Sequence, residues 1–272
     1  MTRFDDTTPD SRVRGKNGLL PRRLAAVIGT ALLQGWGILL LLALWQLYVI
    51  VTGFNAIVMP RPMGVLRDLL HEPQAYWGPA LRTIAAAALG MALGLLLGTL
   101  LAIAAWLSKI LEGLLLPLTV LFSSVPVVTL IPIIARLLGQ DFSTVLAIVV
   151  IICFFPAFVF TASGLRALPP GADDLFNVLG AGTWVKLLRL ALPAALPNWM
   201  VAVRITAGHA VLAAMVAEYL MGTAGLGFLF GETKADFNME RAFGTTVVAT
   251  IVSMAFFLAA TAAERSVKTR WT

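Results

Sequence analysis

Six long apolar runs restrict what this chain can fold into. Each run is about 20 residues or longer, which is enough for an α-helix to cross the hydrocarbon core of a membrane. None of them alternates between polar and apolar residues as a membrane-spanning strand does. Because lipid offers no hydrogen-bond partner to a bare backbone, we expect an all-α membrane protein with six transmembrane helices. The predicted spans are 27–51, 81–106, 113–136, 144–166, 199–221 and 243–263.

The charged residues agree with this class and indicate an orientation. Only 12% of the residues are charged, whereas soluble domains carry about a quarter. With the N-terminus inside, the predicted cytoplasmic segments hold thirteen Lys and Arg and the outer segments hold six. The positive-inside rule therefore predicts that both termini are cytoplasmic, and the net charge of +6 needs no nucleic-acid partner. The predicted parts are an N-terminal cytoplasmic tail (1–24), a six-helix membrane domain (25–266) and a C-terminal cytoplasmic tail (267–272).

Small residues in the spans indicate close helix packing. Gly90, Gly94 and Gly98 share one face of the second span, which lets two backbones approach closely. That face is expected either between two subunits or within one bundle. Cys153, the only cysteine, is expected to be a small buried hydrophobe.

A polar, amphipathic stretch over 171–197 separates the fourth and fifth spans. Two acids, Asp173 and Asp174, begin it, where the positive end of a helix dipole favours them. The Gly-Ala-Gly sequence at 180–182 permits a sharp reversal of the chain. A short helix with an exposed apolar face, held between two spans, is suited to transmit force from a cytoplasmic partner. The alternative is a loop that floats at the lipid headgroups.

A second short helix is predicted after the reversal. Thr183 is expected to cap it, and Pro193 and Pro197 to end it. Lys186 and Arg189 lie off its apolar stripe and are expected to face water or lipid phosphate. The predicted stripe consists of Trp184, Leu187, Leu188 and Ala191.

This stretch resembles the coupling-helix signature of importer-type ATP-binding-cassette permeases. The usual form of that signature is Glu-Ala-Ala, three residues, Gly, about nine residues and Ile/Leu-x-Leu-Pro. Asp174 stands at the acid position, Leu175 and Phe176 replace the two alanines, and Gly180 matches the glycine. LALPAALP, residues 190–197, matches the closing element.

Other segments resemble the nitrate/sulfonate/taurine branch of the same family. They are VMPRP at 58–62, SSVPVVTLIPI at 123–133 and VRITAGHAVLAAMVAEYLMGTAGLGFLF at 203–230. The resemblance extends from about residue 55 to 260. The chain departs from the branch where Ser123-Ser124-Val125-Pro126 replaces an Arg-Pro-Ile/Val-Pro element, and where Asp-Leu-Phe replaces Glu-Ala-Ala.

The resemblance implies a type I importer permease in a bacterial inner membrane. It implies alternating access driven by separate ATPase subunits that hold ATP and Mg, and a solute-binding protein outside. It also implies a second permease chain, for which a homodimer is favoured over a heterodimer. It also implies a small solute. An anion such as a sulfonate, taurine or nitrate is one candidate for that solute. The residues implied in ATPase coupling are Asp173, Asp174, Leu175, Phe176, Gly180, Ala181, Gly182 and Trp184.

The sequence itself contains no phosphate-binding loop of the form Gly-x-x-x-x-Gly-Lys-Ser/Thr, so no enzyme activity or bound cofactor is expected in this chain. The rival interpretation is a stand-alone secondary transporter, although no internal repeat supports it. A membrane scaffold without transport is a third possibility. Co-purification of an ATPase chain discriminates between the first two.

Polar residues within the spans are candidates for the transport path. Charged and polar groups at membrane depth are costly and commonly functional. Arg204 is expected to snorkel to the cytoplasmic surface, and His209 either packs or lines the path. Glu218 either pairs with an outer Arg or lines the path. The predicted path residues are Ser123, Ser124, Pro126, Thr129, His209, Met215 and Glu218.

Overall fold

The structure, a computed structural model, describes residues 19–123 and 126–271 and contains helices and no strand among them. Contacts divide the chain into two units, residues 1–54, which contain α1, and residues 55–272, which contain the other helices. Most of the predicted N-terminal tail lies outside the described residues. The helices are α1 (Leu19–Thr52), α2 (Pro62–His71), α3 (Gln74–Leu107), α4 (Lys109–Ser123), α5 (Val127–Leu138), α6 (Phe142–Arg166), α7 (Ala172–Val178), α8 (Thr183–Lys186), α9 (Leu192–Met221), α10 (Leu226–Ala235) and α11 (Met239–Trp271).

Four helices in the described part of the chain are long and apolar enough to cross a membrane, by length and composition. They are α3, α6, α11 as far as Val267, and a continuous helix over Thr183–Met221 that includes α8 and α9. Two shorter apolar helices coincide with the first predicted span and with part of the third. They are the Trp36–Thr52 part of α1 and α5. The predicted all-α membrane architecture is confirmed.

The third predicted span, 113–136, is wrong as a single helix. α4 ends at Ser123 and α5 begins at Val127. Pro126, just before α5, has an extended backbone with a ψ of 107° and no N–H to continue a hydrogen-bond ladder. At the start of α5, the Thr129 hydroxyl donates to the Pro126 carbonyl at 2.7 Å, which satisfies one carbonyl near the break.

The glycine stripe of α3 packs against α6 within the chain. A Cβ built on Gly94 would lie 2.7 Å from the Cβ of Cys153, and one on Gly98 would lie 2.6 Å from the Cβ of Ala157. Gly90 meets Val149 in the same way. The glycine stripe therefore packs within one bundle. This is the second of the two alternatives, and a subunit interface at this stripe is not observed. Cys153 is fully buried, as predicted.

The helix after the 180–182 reversal does not end at Pro193 or Pro197. It continues from α8 through a π-turn, Leu187–Ala191, into α9. The π-turn precedes Pro193, which occupies the first turn of α9, where its missing N–H costs little. Pro197 lies inside α9. The cap is also different from the prediction, since Gly182 and not Thr183 precedes α8 and no side chain caps it.

An ion-pair cluster anchors the amphipathic helix α2, which begins with Pro62. Arg241, in the first turn of α11, donates to Asp68 at 3.0 Å and also binds Glu72. The hydroxyl of Tyr76 on α3 donates to Asp68. Burial alone would raise the pKa of Asp68, but the hydrogen bonds from Arg241 and Tyr76 outweigh it and lower that pKa below its usual value. The cluster therefore fixes α2 against both α3 and α11.

Candidate functional site

Backbone conformation at two glycines sets the limits of the short helix α7. Gly171 precedes α7 with a φ of 73°, and Gly180 follows it with a φ of 65°, both in the left-handed region that glycine tolerates. The Ala181 N–H donates to the Phe176 carbonyl at 2.9 Å, and the Gly180 N–H to the Asn177 carbonyl at 3.0 Å. These two bonds form a Schellman motif, which ends α7 and begins the reversal.

A polar clamp joins α7 to α8 and makes a rigid hairpin, residues 171–188. The Lys186 ammonium lies 2.8 Å from the Asp173 carboxylate and also donates to the Asn177 side chain. The expectation that Lys186 faces water or phosphate is therefore wrong. The hydrogen bond from Lys186 is the main reason that the pKa of Asp173 falls below its usual value. Asp174 remains exposed beside it.

The second helix of the hairpin has one buried and one exposed side. Leu187 and Ala191 are 2% and 0% exposed, and they pack in a core cluster with Ala102 of α3 and Phe158 of α6. The predicted stripe is therefore divided, since Trp184 and Leu188 point away from this core. The buried pair attaches the hairpin firmly to the membrane domain.

An apolar surface of the hairpin remains uncovered by the described part of the chain. Val178 is 86% exposed, and Phe176 is half-buried between this surface and the rest of the hairpin. A solvated surface of this kind on a rigid element is typical of a protein interface. The exposed apolar residues are Leu175, Val178, Leu179, Trp184, Val185 and Leu188.

Two ion pairs lie at the same end of the bundle as the hairpin. Arg166, the last residue of α6, lies 2.8 Å from Glu112 of α4. Arg204 of α9 lies 3.0 Å from Glu264 of α11, whose side chain is 4% exposed. The Arg204 side chain is itself 37% exposed, so it reaches the surface while it pairs with a buried carboxylate. These pairs join the helices that flank the hairpin.

The structure separates the predicted path residues into two groups. Pro126, Thr129 and His209 lie on exposed surfaces where α5 approaches α9. Met215 packs inside the chain against Ala80, Leu226 and Ala249, and Glu218 is enclosed close to it. Ser124 lies outside the described residues, as does the side chain of Ser123.

Glu218 forms a buried network that the sequence did not predict. Its carboxylate accepts from Thr83 Oγ1 of α3 at 2.8 Å and from the Gly227 N–H at 3.0 Å. Thr83 Oγ1 in turn accepts from the Leu226 N–H at 2.9 Å. A Cβ on Gly225, whose φ is 154°, would collide with the Glu218 carboxylate. The expected pairing of Glu218 with an outer Arg is wrong, and the Gly-Leu-Gly sequence at 225–227 was the overlooked signal.

Residues 90–272 match a family described as binding-protein-dependent transport system inner membrane component. The chain belongs to this family. It is therefore the membrane-embedded permease of an ATP-driven importer that takes up a small solute, and the interpretation as a stand-alone secondary transporter is set aside. As such a component, it works with ATPase and solute-binding partners.

Known permeases of this type are similar to about four fifths of the chain. A probable ABC transporter permease of Haemophilus influenzae is 26% identical over 217 residues, 80% of this chain and 89% of the relative. The formylaminopyrimidine transport permease of Halalkalibacterium halodurans is 27% identical over 81% of this chain and 88% of its own length. A putative aliphatic sulfonates transport permease of Bacillus subtilis is 27% identical over 80% and 82%.

Solved importer structures share the fold of the permease. One is an amino acid ABC transporter, with a TM-score of 0.62 over 73% of this chain and 97% of that chain at 15% identity. Another is the methionine ABC transporter MetNI in an inward-facing conformation, with a TM-score of 0.54 over 77% and 98% at 19% identity. The type I importer permease fold, predicted from the coupling signature, is confirmed.

Proposed function

We propose that the hairpin of 171–188 is the part of this permease that docks on a separate ATPase subunit at the cytoplasmic face. The observation that carries the proposal is the uncovered apolar surface around Val178 on an element clamped by Lys186 and Asp173. Burying Leu175, Val178, Leu179 and Trp184 in a partner contributes about 1.5–3 kcal/mol for each large side chain before the cost of association. A rigid hairpin passes that contact on to α6 and α9.

The side of the membrane follows from the distribution of positive charge. Arg166, Lys186 and Arg189 cluster around the hairpin, at the end of the chain's spans that the positive-inside rule assigns to the cytoplasm. Both termini then lie in the cytoplasm of a bacterial cell, and the permease crosses its inner membrane several times. ATP is available on this side.

The chemistry is divided between chains. ATP and Mg bind to the ATPase subunits, and this chain, which has no phosphate-binding loop, hydrolyses nothing itself. Closure of the two ATPase subunits draws the hairpins together, which opens the path outward. Hydrolysis resets the inward-facing state. Asp174 and Gly180 set, respectively, the charge and the reversal that this docking requires.

Two copies of the chain form one path, with an extracytoplasmic binding protein delivering the solute. A homodimer is favoured over a heterodimer. The named relatives indicate two classes of cargo. A formylaminopyrimidine is an uncharged heteroaromatic compound, whereas an aliphatic sulfonate is an anion.

Docking is tested by the exposed residues of the hairpin. We expect Val178→Glu to lower the affinity for the ATPase subunit at least about tenfold, or 1.4 kcal/mol, because a charge replaces a buried contact. The matched control is Ile110→Glu on α4, which is equally exposed at 84% but lies outside the hairpin. Affinity is measured by titrating purified ATPase onto the permease in nanodiscs. Equal loss in both variants contradicts the docking assignment.

Coupling is tested separately from docking. Asp174→Lys and Gly180→Trp are expected to leave the chain inserted in the membrane while ATP hydrolysis proceeds without solute uptake. Uptake and hydrolysis are measured in proteoliposomes with the binding protein present. Unchanged uptake in both variants refutes the coupling role of the hairpin.

A further inference from the structure

The turn between α10 and α11 holds an aromatic residue in a backbone conformation that favours glycine. Phe237 has a φ of 59° and is the only residue other than glycine with a positive φ in the described part of the chain. A Schellman motif produces this conformation. The Asn238 N–H donates to the Thr233 carbonyl at 2.8 Å. The Phe237 N–H donates to the Lys234 carbonyl at 3.2 Å. Glycine is usual at this position, and a bulky side chain with a positive φ is a genuine outlier.

Burial within the chain does not explain why a phenylalanine stands there. The residue is 67% exposed, so its ring buries little surface against its own chain. Residues held in a strained backbone conformation are concentrated at functional sites, because the surrounding structure must hold them there. The strain and the exposed ring together indicate a contact outside this chain.

Contacts on both sides hold the turn on a rigid base. The Asn238 side chain accepts from the Arg241 N–H at 3.1 Å and thereby caps the start of α11. Arg241 also belongs to the ion-pair cluster that fixes α2. Gly64 of α2 leaves room for the Glu240 carboxylate, which a Cβ at that position would meet. The ring of Phe237 is therefore presented at a fixed position.

The turn lies at the end of the spans opposite the hairpin. α9 leads from the hairpin to Met221, and α10 and the turn follow before α11 runs back. Charged residues close to Phe237 in the sequence are exposed, so the turn lies in water or among headgroups and not in hydrocarbon. They are Glu232, Lys234 and Asp236. An apolar centre beside a polar rim is the usual anatomy of a protein interface.

We propose that Phe237 is an anchor of the surface on which the extracytoplasmic solute-binding protein docks. The inference rests on the proposed importer function, which places this end of the spans outside, and names the docking surface of that partner. The family is described as binding-protein-dependent, so a protein must reach the permease on the side where the solute arrives. A ring fixed in advance loses little freedom when a protein of complementary shape binds it. Lipid headgroups adapt to an aromatic residue and require no fixed position.

Site-specific crosslinking is the first test. Phe237 is replaced by the photoreactive p-benzoylphenylalanine in the full complex of permease and ATPase in growing cells, and adducts are identified by peptide mass. We expect an adduct with a secreted solute-binding protein. The same probe at Leu81, which is 58% exposed on α3, is expected to give no such adduct. If the adduct at 237 is instead with lipid, with a second copy of this chain or with another protein, or if none forms, the inference is overturned.

Affinity for the identified binding protein separates the ring from the fold. Phe237→Gly removes the ring and suits the positive φ, so we expect the affinity of the complex in nanodiscs to fall at least about tenfold while the midpoint of thermal unfolding does not fall. Phe237→Tyr keeps the ring and is expected to keep most of the affinity. Unchanged affinity, or a lower midpoint, in Phe237→Gly overturns the role of the ring as an anchor.

A matched control lies at the same end of the bundle. Leu137, near the end of α5, is 79% exposed and has an ordinary helical conformation. Leu137→Ala is expected to bind the solute-binding protein normally. Equal loss of affinity in Leu137→Ala and Phe237→Gly overturns the inference.

Side-specific labelling distinguishes a failure of the inference from a failure of the proposed function. Phe237→Cys is treated with a membrane-impermeant thiol reagent in cells whose outer membrane is permeabilised, and the buried native Cys153 serves as the internal control. We expect labelling from outside. Labelling only after the inner membrane is opened refutes the proposed orientation and the inference with it. Labelling from outside without an adduct to a binding protein refutes the inference alone.

Discussion

At the residue scale, a single hydroxyl connects three helices. Thr83 of α3 donates to Glu218 of α9 and accepts from the Leu226 N–H at the start of α10. Glu218 is 1% exposed, and its carboxylate is compensated by a hydroxyl and a backbone N–H and not by a cation. Removal of one partner leaves the others buried and unsatisfied, which costs more than the bond itself contributes.

This network gives a prediction for a conservative pair of variants. Thr83→Val keeps the shape of the side chain but removes the hydroxyl, so we expect the free energy of unfolding to fall by about 1–3 kcal/mol. Thr83→Ser keeps the hydroxyl and is expected to lose less. Thermal unfolding of the purified permease in one detergent measures both. A smaller loss of unfolding free energy in Thr83→Val than in Thr83→Ser contradicts the network.

Local spacing predicted some residues well and others not at all. The acid and glycine at Asp174 and Gly180 could be located because helix start and reversal depend on neighbouring residues. The partner of Glu218 could not, since Thr83 is 135 residues away in the sequence. The partner of Arg204 was missed for the same reason, because Glu264 lies on another helix.

At the element scale, the hairpin depends on one glycine and not on its neighbour. Gly180 has a φ of 65°, a conformation that costs about 1–2 kcal/mol for a residue with a Cβ. Gly182 has a φ of −68° and a ψ of 163°, which any residue adopts. We therefore expect Gly180→Ala to lower solute uptake per ATP hydrolysed and Gly182→Ala to leave it unchanged, although both belong to the predicted coupling set. Uptake and hydrolysis in proteoliposomes measure both, and equal effects refute the role of the reversal.

The ion-pair cluster that anchors α2 predicts a dependence on pH. The pKa of Asp68 is lower in the folded chain than its usual 3.8. The cluster therefore contributes its full stability above pH 3.8 and loses it as the pH falls below that value. Hydrogen-exchange protection of the α2 amides, corrected for intrinsic rates, is expected to stay constant between about pH 5 and 8. Acidification below the usual pKa is expected to reduce it.

The partner residue provides the control for this dependence. We expect Arg241→Gln to lower the protection of α2 about tenfold at neutral pH, or 1.4 kcal/mol, because Asp68 and Glu72 then lose their cation. Arg67→Gln removes an exposed charge from the same helix and is expected to change nothing. If Arg241→Gln behaves like Arg67→Gln, the cluster does not anchor α2.

Apolar run length predicted whole elements because hydrophobicity is a local property. α3, α6 and α11 coincide with predicted spans and extend beyond them. Run length could not detect the break at Pro126, where the chain stays apolar while the hydrogen-bond ladder stops. It also missed that the fifth span begins at Thr183, because Pro193 and Pro197 were expected to end a helix that a π-turn instead continues.

At the scale of the whole molecule, that continuous helix connects the three sites. It carries the hairpin surface at its start, His209 in its middle and Glu218 near its end, about 58 Å in all at the rise of an α-helix. If a partner moves the hairpin, as proposed, the movement is passed along one element to His209 and to the α10 network. The π-turn takes up one extra residue in a wider turn, so the helix before it and the helix after it keep a common axis.

Insertion of one alanine between Ala194 and Ala195, in the ordinary helical part of α9, tests this connection. One added residue turns everything before it by about 100° relative to the rest of α9, so the apolar surface no longer faces the ATPase. We expect the permease to insert and to form its pair, while ATPase binding falls at least about tenfold. Deletion of Ser266, beyond the last predicted span, is the matched control and is expected to bind normally. Normal ATPase binding and solute uptake after the insertion would mean that the hairpin is positioned by its contacts with α3 and α6 alone.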